Sequence, residues 1–247
     1  MTYCLAINVN DGLVFCSDSR TNAGTDNISV YSKMHTFECP EERFFVLLSA
    51  GNLATTQAVI KKLQSDPVAG LVPNLHTVQT LQEAADYVGI VSSMVQRQQA
   101  ERDTAQTNFE ATFILGGQIG DTPPEVFMIY PQGNYIHESR EHPFLQIGET
   151  KYGKPILDRV IHDQLGLEAA ARCALVSMNS TVRSNVTVGP PVELLIYRRN
   201  SLREGKRLYL TEDHPLSRAI SKQWNAGLLQ ALDNLPHFDW EEERGAK

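Results

Sequence analysis

Thr2 stands directly behind Met1. A methionine followed by a small residue is the pattern that aminopeptidases trim, and trimming leaves a threonine with both a hydroxyl and a free α-amine. Such an amine titrates near ~7.7–8.0, so much of it is a base at neutral pH. A hydroxyl becomes a competent nucleophile when a base takes its proton, and a threonine served by its own amine is one solution to that problem. Among the charged residues that follow in the N-terminal stretch are Asp18, Arg20 and Lys33. A lysine held in a buried position beside the hydroxyl favours its deprotonated form, and a carboxylate is needed to keep that lysine charged. Gly51 falls between an apolar run and a helical pattern, so its backbone N–H is expected near a helix start, where a developing oxyanion is well served.

The elements that would position these groups are legible nearby. Thr2 is followed by Tyr-Cys-Leu-Ala-Ile-Asn-Val, a β-forming run, and Asn10-Asp11-Gly12 is a hairpin signal. Residues 13–20 read as the returning strand, which brings Asp18 back beside Thr2. Lys33 opens a further strand, 33–38. Arg43 to Ala50 is an apolar strand, and a helix is expected from Asn52 to about Gln64, followed by a loop from Pro67 to Pro73.

Taken together, Thr2, the segment Ser17-Asp18-Ser19-Arg20, Lys33 and Ser49-Ala50-Gly51 resemble, in order and spacing, the β-type subunits of proteasomes, which are N-terminal-nucleophile hydrolases. The phrases Asp11-Gly12-Leu13-Val14, Arg20-Thr21-Asn22-Ala23-Gly24, and Phe144 to Glu149 running on through Lys151 to Arg159 are similar to the bacterial ancestral β-subunit branch, Anbu. The resemblance covers nearly the whole chain. It implies a four-layer αββα sandwich and a threonine peptidase in which Thr2, Asp18, Lys33 and Gly51 are catalytic. It also implies that Arg20, Thr21 and Ser49 line the substrate. Family members bring a serine and an acid to the threonine from a loop in the C-terminal half. The matching stretch here is Met178 to Asn185, with Ser184 as the serine and no acid. Where the family carries a further serine on a Gly-Ser-Gly turn, this chain has Gly148-Glu149.

Periodicity agrees with an α+β class. Strands, two helices, strands, two helices, strands and a last helix follow in that order, which argues for antiparallel sheets covered by helix pairs and against a βαβ parallel fold. Helices are expected near 77–102, 153–164 and 167–178, and strands near 110–118, 126–130, 135–138, 144–147 and 192–198. Nothing divides the chain into two units, so residues 1–247 are expected to form one domain with a helical extension from about His214. That extension carries apolar Leu216, Ile220, Trp224, Leu228, Leu229 and Leu232, followed by Trp240. It reads as an intersubunit clamp or lid, or as a cover for one edge of the core.

The bulk composition excludes several classes. A net charge of −7 and short, isolated basic clusters argue against a nucleic-acid partner. With 42% hydrophobic residues the chain is suited to a sizeable core, yet no stretch is long and apolar enough to span a membrane. No charged-then-apolar leader precedes Thr2, so a cytoplasmic protein is expected, with its four cysteines reduced. The seven histidines show no ligand spacing and no cofactor motif appears. The expected partners are a peptide or unfolded-protein substrate and further copies of the chain in a ring or spiral, with any unfoldase left unspecified. A small-amide hydrolase and a weakly active oligomeric scaffold are the alternatives.

Overall fold

The computed structural model describes residues 1–22, 28–238 and 240. Ala23 and Gly24, part of the stretch that carries the resemblance, lie outside the described residues. Two five-stranded antiparallel sheets dominate. In the first, β1 (Tyr3–Val9), β2 (Gly12–Asp18), β10 (Phe144–Gly148), β11 (Val192–Arg198) and β12 (Lys206–Leu210) take the order β10-β1-β2-β11-β12. The second runs β5 (Met34–Cys39), β6 (Arg43–Gly51), β7 (Ala111–Ile119), β8 (Glu125–Ile129) and β9 (Tyr135–His137). A small ribbon pairs β3 (Arg20–Asn22) with β4 (Ile28–Val30).

Strand alternation builds three layers of core. Along β1, Tyr3, Leu5, Ile7 and Val9 face α3 (Lys154–Val160) and α4 (Leu167–Ser184), while Cys4 and Ala6 face the other sheet. Along β6, Phe45 and Leu47 face α1 (Leu53–Val68) and α2 (Leu81–Ala100), while Phe44, Val46, Leu48 and Ala50 point between the sheets. Helix pair, sheet, sheet, helix pair is the expected αββα sandwich.

Two boundaries differ from the sequence reading. Helix α1 continues through Pro67 to Val68, where a loop was expected. Proline removes one helical hydrogen bond and crowds the preceding turn, but here it falls in the last turn, next to a pinned residue. Buried Asp66 accepts hydrogen bonds from the Tyr87 hydroxyl at 2.5 Å and from Lys62 at 3.0 Å. Helix α4 runs to Ser184, so most of the expected Met178–Asn185 loop is helical. Its inward face carries on through Met178 and Thr181, both buried, and that packing sustains the helix.

The last helix, α5 (Pro215–Asp233), begins where expected, with His214 as its cap. It has no buried residue. Its helical neighbour is α4, and its Ile220 packs against the helix-facing core of the first sheet. None of the helices is long and apolar enough to cross a membrane, among the described residues.

The registers bring the chemistry-bearing residues to one end of the sandwich. Tyr3 is opposite Gly148, Cys4 opposite Ser17, Val192 opposite Asp18, and Met34 opposite Leu48. Thr2, Asp18, Lys33, Gly51 and Glu149 therefore all lie at the same strand ends. Phe15 holds the two sheets together in the middle: its ring lies so close over Gly116 that a Cβ there would approach it to 2.8 Å. Replacing this fully buried ring by alanine (Phe15→Ala) is expected to cost about 3–5 kcal/mol of unfolding free energy, read as a lower urea midpoint with an unchanged slope.

Candidate active site

Thr2 precedes β1 and is held on both sides by backbone. Its carbonyl accepts a hydrogen bond from the Glu149 N–H at 2.7 Å. The next N–H, that of Tyr3, donates to Asp18 Oδ1 at 3.0 Å. The Tyr3 ring is buried in the helix-facing core, with its hydroxyl 2.7 Å from Ser177 Oγ and 2.5 Å from the Gln146 amide. The start of β1 is thus fixed by a side chain that points away from the cavity, leaving little freedom to Thr2. Gly148 makes the close approach possible. It has φ +82°, and a Cβ there would lie 1.9 Å from the Thr2 carbonyl oxygen.

Below Thr2 lies a buried ion pair. Lys33 Nζ donates to Asp18 Oδ1 at 2.7 Å and to the Arg20 carbonyl at 2.8 Å. Asp18 is fully buried and Lys33 is 7% exposed. Asp18 Oδ2 also accepts the Gly189 N–H, at 3.3 Å. Burial pushes the Asp18 carboxyl up from the usual carboxylate range, and the Lys33 charge together with these N–H donors opposes that push. Two of the ammonium's three protons are taken by these acceptors. The third has no protein acceptor among the described residues, and Lys33 borders the cavity that Thr2 lines.

That cavity measures about 620 Å³ and gathers most of the expected site. Thr2, Lys33 and Gly51 line it, as do Arg20, Thr21 and Ser49. Gly51 closes β6 at φ +115°, where a Cβ would lie 2.3 Å from the Glu110 carbonyl. Asn52 then caps α1, accepting the Thr55 N–H at 3.2 Å, so the strand-to-helix turn is as the sequence suggested. Ser49 donates its N–H to the Lys33 carbonyl at 3.0 Å, which ties the lysine to the same turn.

Ser184 is placed differently. It is exposed on the last turn of α4 and lines a separate, larger cavity of about 1030 Å³ between α4 and α5. The extension of α4 accounts for this, since the segment expected to loop toward Thr2 stays helical. A buried acid stands near Thr2 in another segment. Glu149, 9% exposed, follows β10 directly. Its Oε2 accepts the Asn185 amide at 2.8 Å and its Oε1 lies 3.5 Å from Lys151 Nζ. The chain's terminal amine here is that of Met1: burial and the Lys33 charge lower its pKa, while Asp18 and, least of all, Glu149 draw it up. Glu149 was visible in the sequence as a carboxylate in place of a serine turn. Nothing local announced that Asn185 would hold it. Tyr3 carried no signal beyond its place after Thr2.

Two expectations follow from this geometry. Asp18→Ala strands the Lys33 charge, and unfolding free energy should fall by about 3–5 kcal/mol in chemical denaturation. Glu149→Gln removes a charge that favours the protonated amine. In the chain that keeps Met1, the midpoint for labelling of the Met1 amine should therefore move to lower pH, and an unmoved midpoint would mean that the carboxylate does not act on it.

A family model described as proteasome subunit matches residues 2–197. Among solved structures, Anbu (ancestral β-subunit) from Yersinia bercovieri is 43% identical with TM-score 0.91, over 96% of this chain and 100% of that one. A helical assembly of the Anbu complex from Pseudomonas aeruginosa is 46% identical with TM-score 0.91, over 96% of this chain and 98% of that one. An Anbu Gly-1 mutant from Hyphomicrobium sp. strain MC1 is 41% identical with TM-score 0.90, over 97% and 100%. No curated protein matches the chain. The order of strands, the ion pair beneath Thr2 and these likenesses agree, and the chain belongs to the proteasome subunit family, in its Anbu branch.

Proposed function

We propose that this chain is a cytoplasmic threonine-type peptidase whose nucleophile is Thr2 Oγ, exposed to chemistry by removal of Met1. The observation that carries the reading is the buried Lys33 ammonium, held by Asp18 and the Arg20 carbonyl at the edge of the cavity that Thr2 lines. A positive charge fixed there favours the deprotonated hydroxyl. The freed Thr2 amine accepts the hydroxyl proton, directly or through a water, and returns it to the leaving amine as the peptide C–N bond breaks. The Gly51 N–H is the donor for the oxyanion of the tetrahedral intermediate. Water then attacks the resulting ester, and the amine takes its proton, which restores Thr2. Arg20, Thr21 and Ser49 border the space in which an extended peptide would lie.

Self-association is part of the proposal. The relative from Pseudomonas aeruginosa is described as a helical assembly. In this chain α5 leaves Leu229 and Leu232 64% and 63% exposed, an apolar cost that a neighbouring copy would relieve.

The test combines mass and turnover. Protein from its own host should show an intact mass lacking Met1. Thr2→Ala should fold normally and lose hydrolysis of fluorogenic peptides by at least ~10³-fold, as expected when a covalent nucleophile is removed. Lys33→Ala should be nearly as damaging. Full retention of Met1 in protein that still cleaves peptides, or turnover in Thr2→Ala, would place the nucleophile elsewhere.

A further inference from the structure

The larger cavity between α4 and α5 is not used by the chemistry above. Its floor is apolar, with Met178 and Val182 from α4 and Ile220 from α5. Its rim is basic, with Arg20, Arg183, Arg218 and Lys222. Arg20 and Arg183 spend hydrogen bonds on neutral oxygens, those of Val186 and Asn225 respectively, and neither pairs with a carboxylate among the described residues. Arg218 pairs with exposed Asp213, and Lys222 has no acidic partner among the described residues. Among the described residues that line it, the only carboxylate is Glu212. In a chain of net charge −7, this is a local reversal of sign.

The chain's own C-terminal segment has the complementary character. Beyond the cavity, α5 presents Leu228, Leu229 and Leu232 to solvent, and Phe238 and Trp240 stack on each other at 4.5 Å while 59% and 61% exposed. In the sequence these aromatics alternate with acid, Phe238-Asp239-Trp240-Glu241-Glu242-Glu243. The described residues of this segment, up to Phe238 and Trp240, do not line the cavity of their own subunit. Ile220, Ser221 and Asn225 are already one wall of it, and α5 continues away to Asp233, about 12 Å past Asn225 at the usual helical rise. An aromatic anchor with flanking acids suits a groove with an apolar floor and a basic rim.

We propose that the α4–α5 groove receives the aromatic and acidic C-terminal segment of a second copy of this chain, and that Arg20 links this docking to the Thr2 site. Arg20 lines both cavities, and its main-chain carbonyl is one of the two acceptors that hold Lys33. A carboxylate bound to the guanidinium therefore steadies the backbone on which Lys33 depends. The link to Thr2 rests on the peptidase reading; the docking does not.

The experiment uses the full chain, a chain ending at Leu235, and a fluorescein-labelled peptide of residues 236–247. Light scattering at one concentration should give a smaller mass for the shortened chain, and the peptide should bind that chain saturably, more weakly as salt is raised. Lys222→Glu in the shortened chain should weaken peptide binding at least 10-fold, and Val182→Asp should do the same through the floor. An unchanged mass on shortening, or equal peptide binding with and without Lys222→Glu and Val182→Asp, overturns the docking. For the link, peptide turnover should fall at least 10-fold in the shortened chain and recover when the labelled peptide saturates it. Undiminished turnover in the shortened chain overturns the link alone. A full-length chain without turnover overturns the peptidase reading and the link together, while mass and peptide binding still decide the docking.

Discussion

The arrangement depends on one buried ion pair. Asp18 is out of contact with solvent and Lys33 nearly so. Two such charges survive burial only when each is matched by partners of good geometry. The carboxylate receives the ammonium at 2.7 Å and two backbone N–H groups, and the ammonium also reaches the Arg20 carbonyl. These partners come from β1, β3, the approach to β5 and the segment before β11. The pair can exist only after both sheets have assembled, and once formed it fixes where Thr2 stands relative to a positive charge.

The rest of the molecule holds that geometry. The hairpin at Asn10-Asp11 sets the register that returns Asp18 to the head of β1. Tyr3 anchors the same strand from the opposite face, through Ser177 on α4 and Gln146 on β10. Gly148 lets β10 approach Thr2 closely enough for the Glu149 N–H to bind its carbonyl. The Glu149 carboxylate is itself held by the Asn185 amide, close to Lys151. Because α4 keeps its helical turns to Ser184, that helix reaches Glu149 through its cap, Asn185.

Much of this was legible in the sequence because the determining signals are local. The hairpin turn, the alternation along β1 and β6, and the glycine between β6 and α1 each specify their own neighbourhood, and together they bring Thr2, Asp18, Lys33 and Gly51 to one end of the sandwich. The misplaced features have non-local causes. Pro67 looked like a helix stop, but Tyr87, far along the chain, pins the turn that contains it. Met178 to Ser184 looked like a loop by analogy, yet the packing of Met178 and Thr181 keeps it helical. The place of Glu149 was hidden because it depends on β10 pairing with β1, and on an asparagine that reaches it from the end of α4. The α4–α5 groove had no sequence signature, since its basic rim is assembled from residues scattered between Arg20 and Lys222.

The central claim, that Thr2 is the reacting residue and that it reacts with its own amine free, is tested most directly by covalent trapping. The protein is incubated with a peptide bearing an electrophilic C-terminal group, and the adduct is located by tandem mass spectrometry. The account predicts a single adduct on Thr2 in chains that lack Met1, much slower labelling in Lys33→Ala, and none in Thr2→Ala. An adduct on another residue, or on Thr2 in chains that still carry Met1, would contradict it.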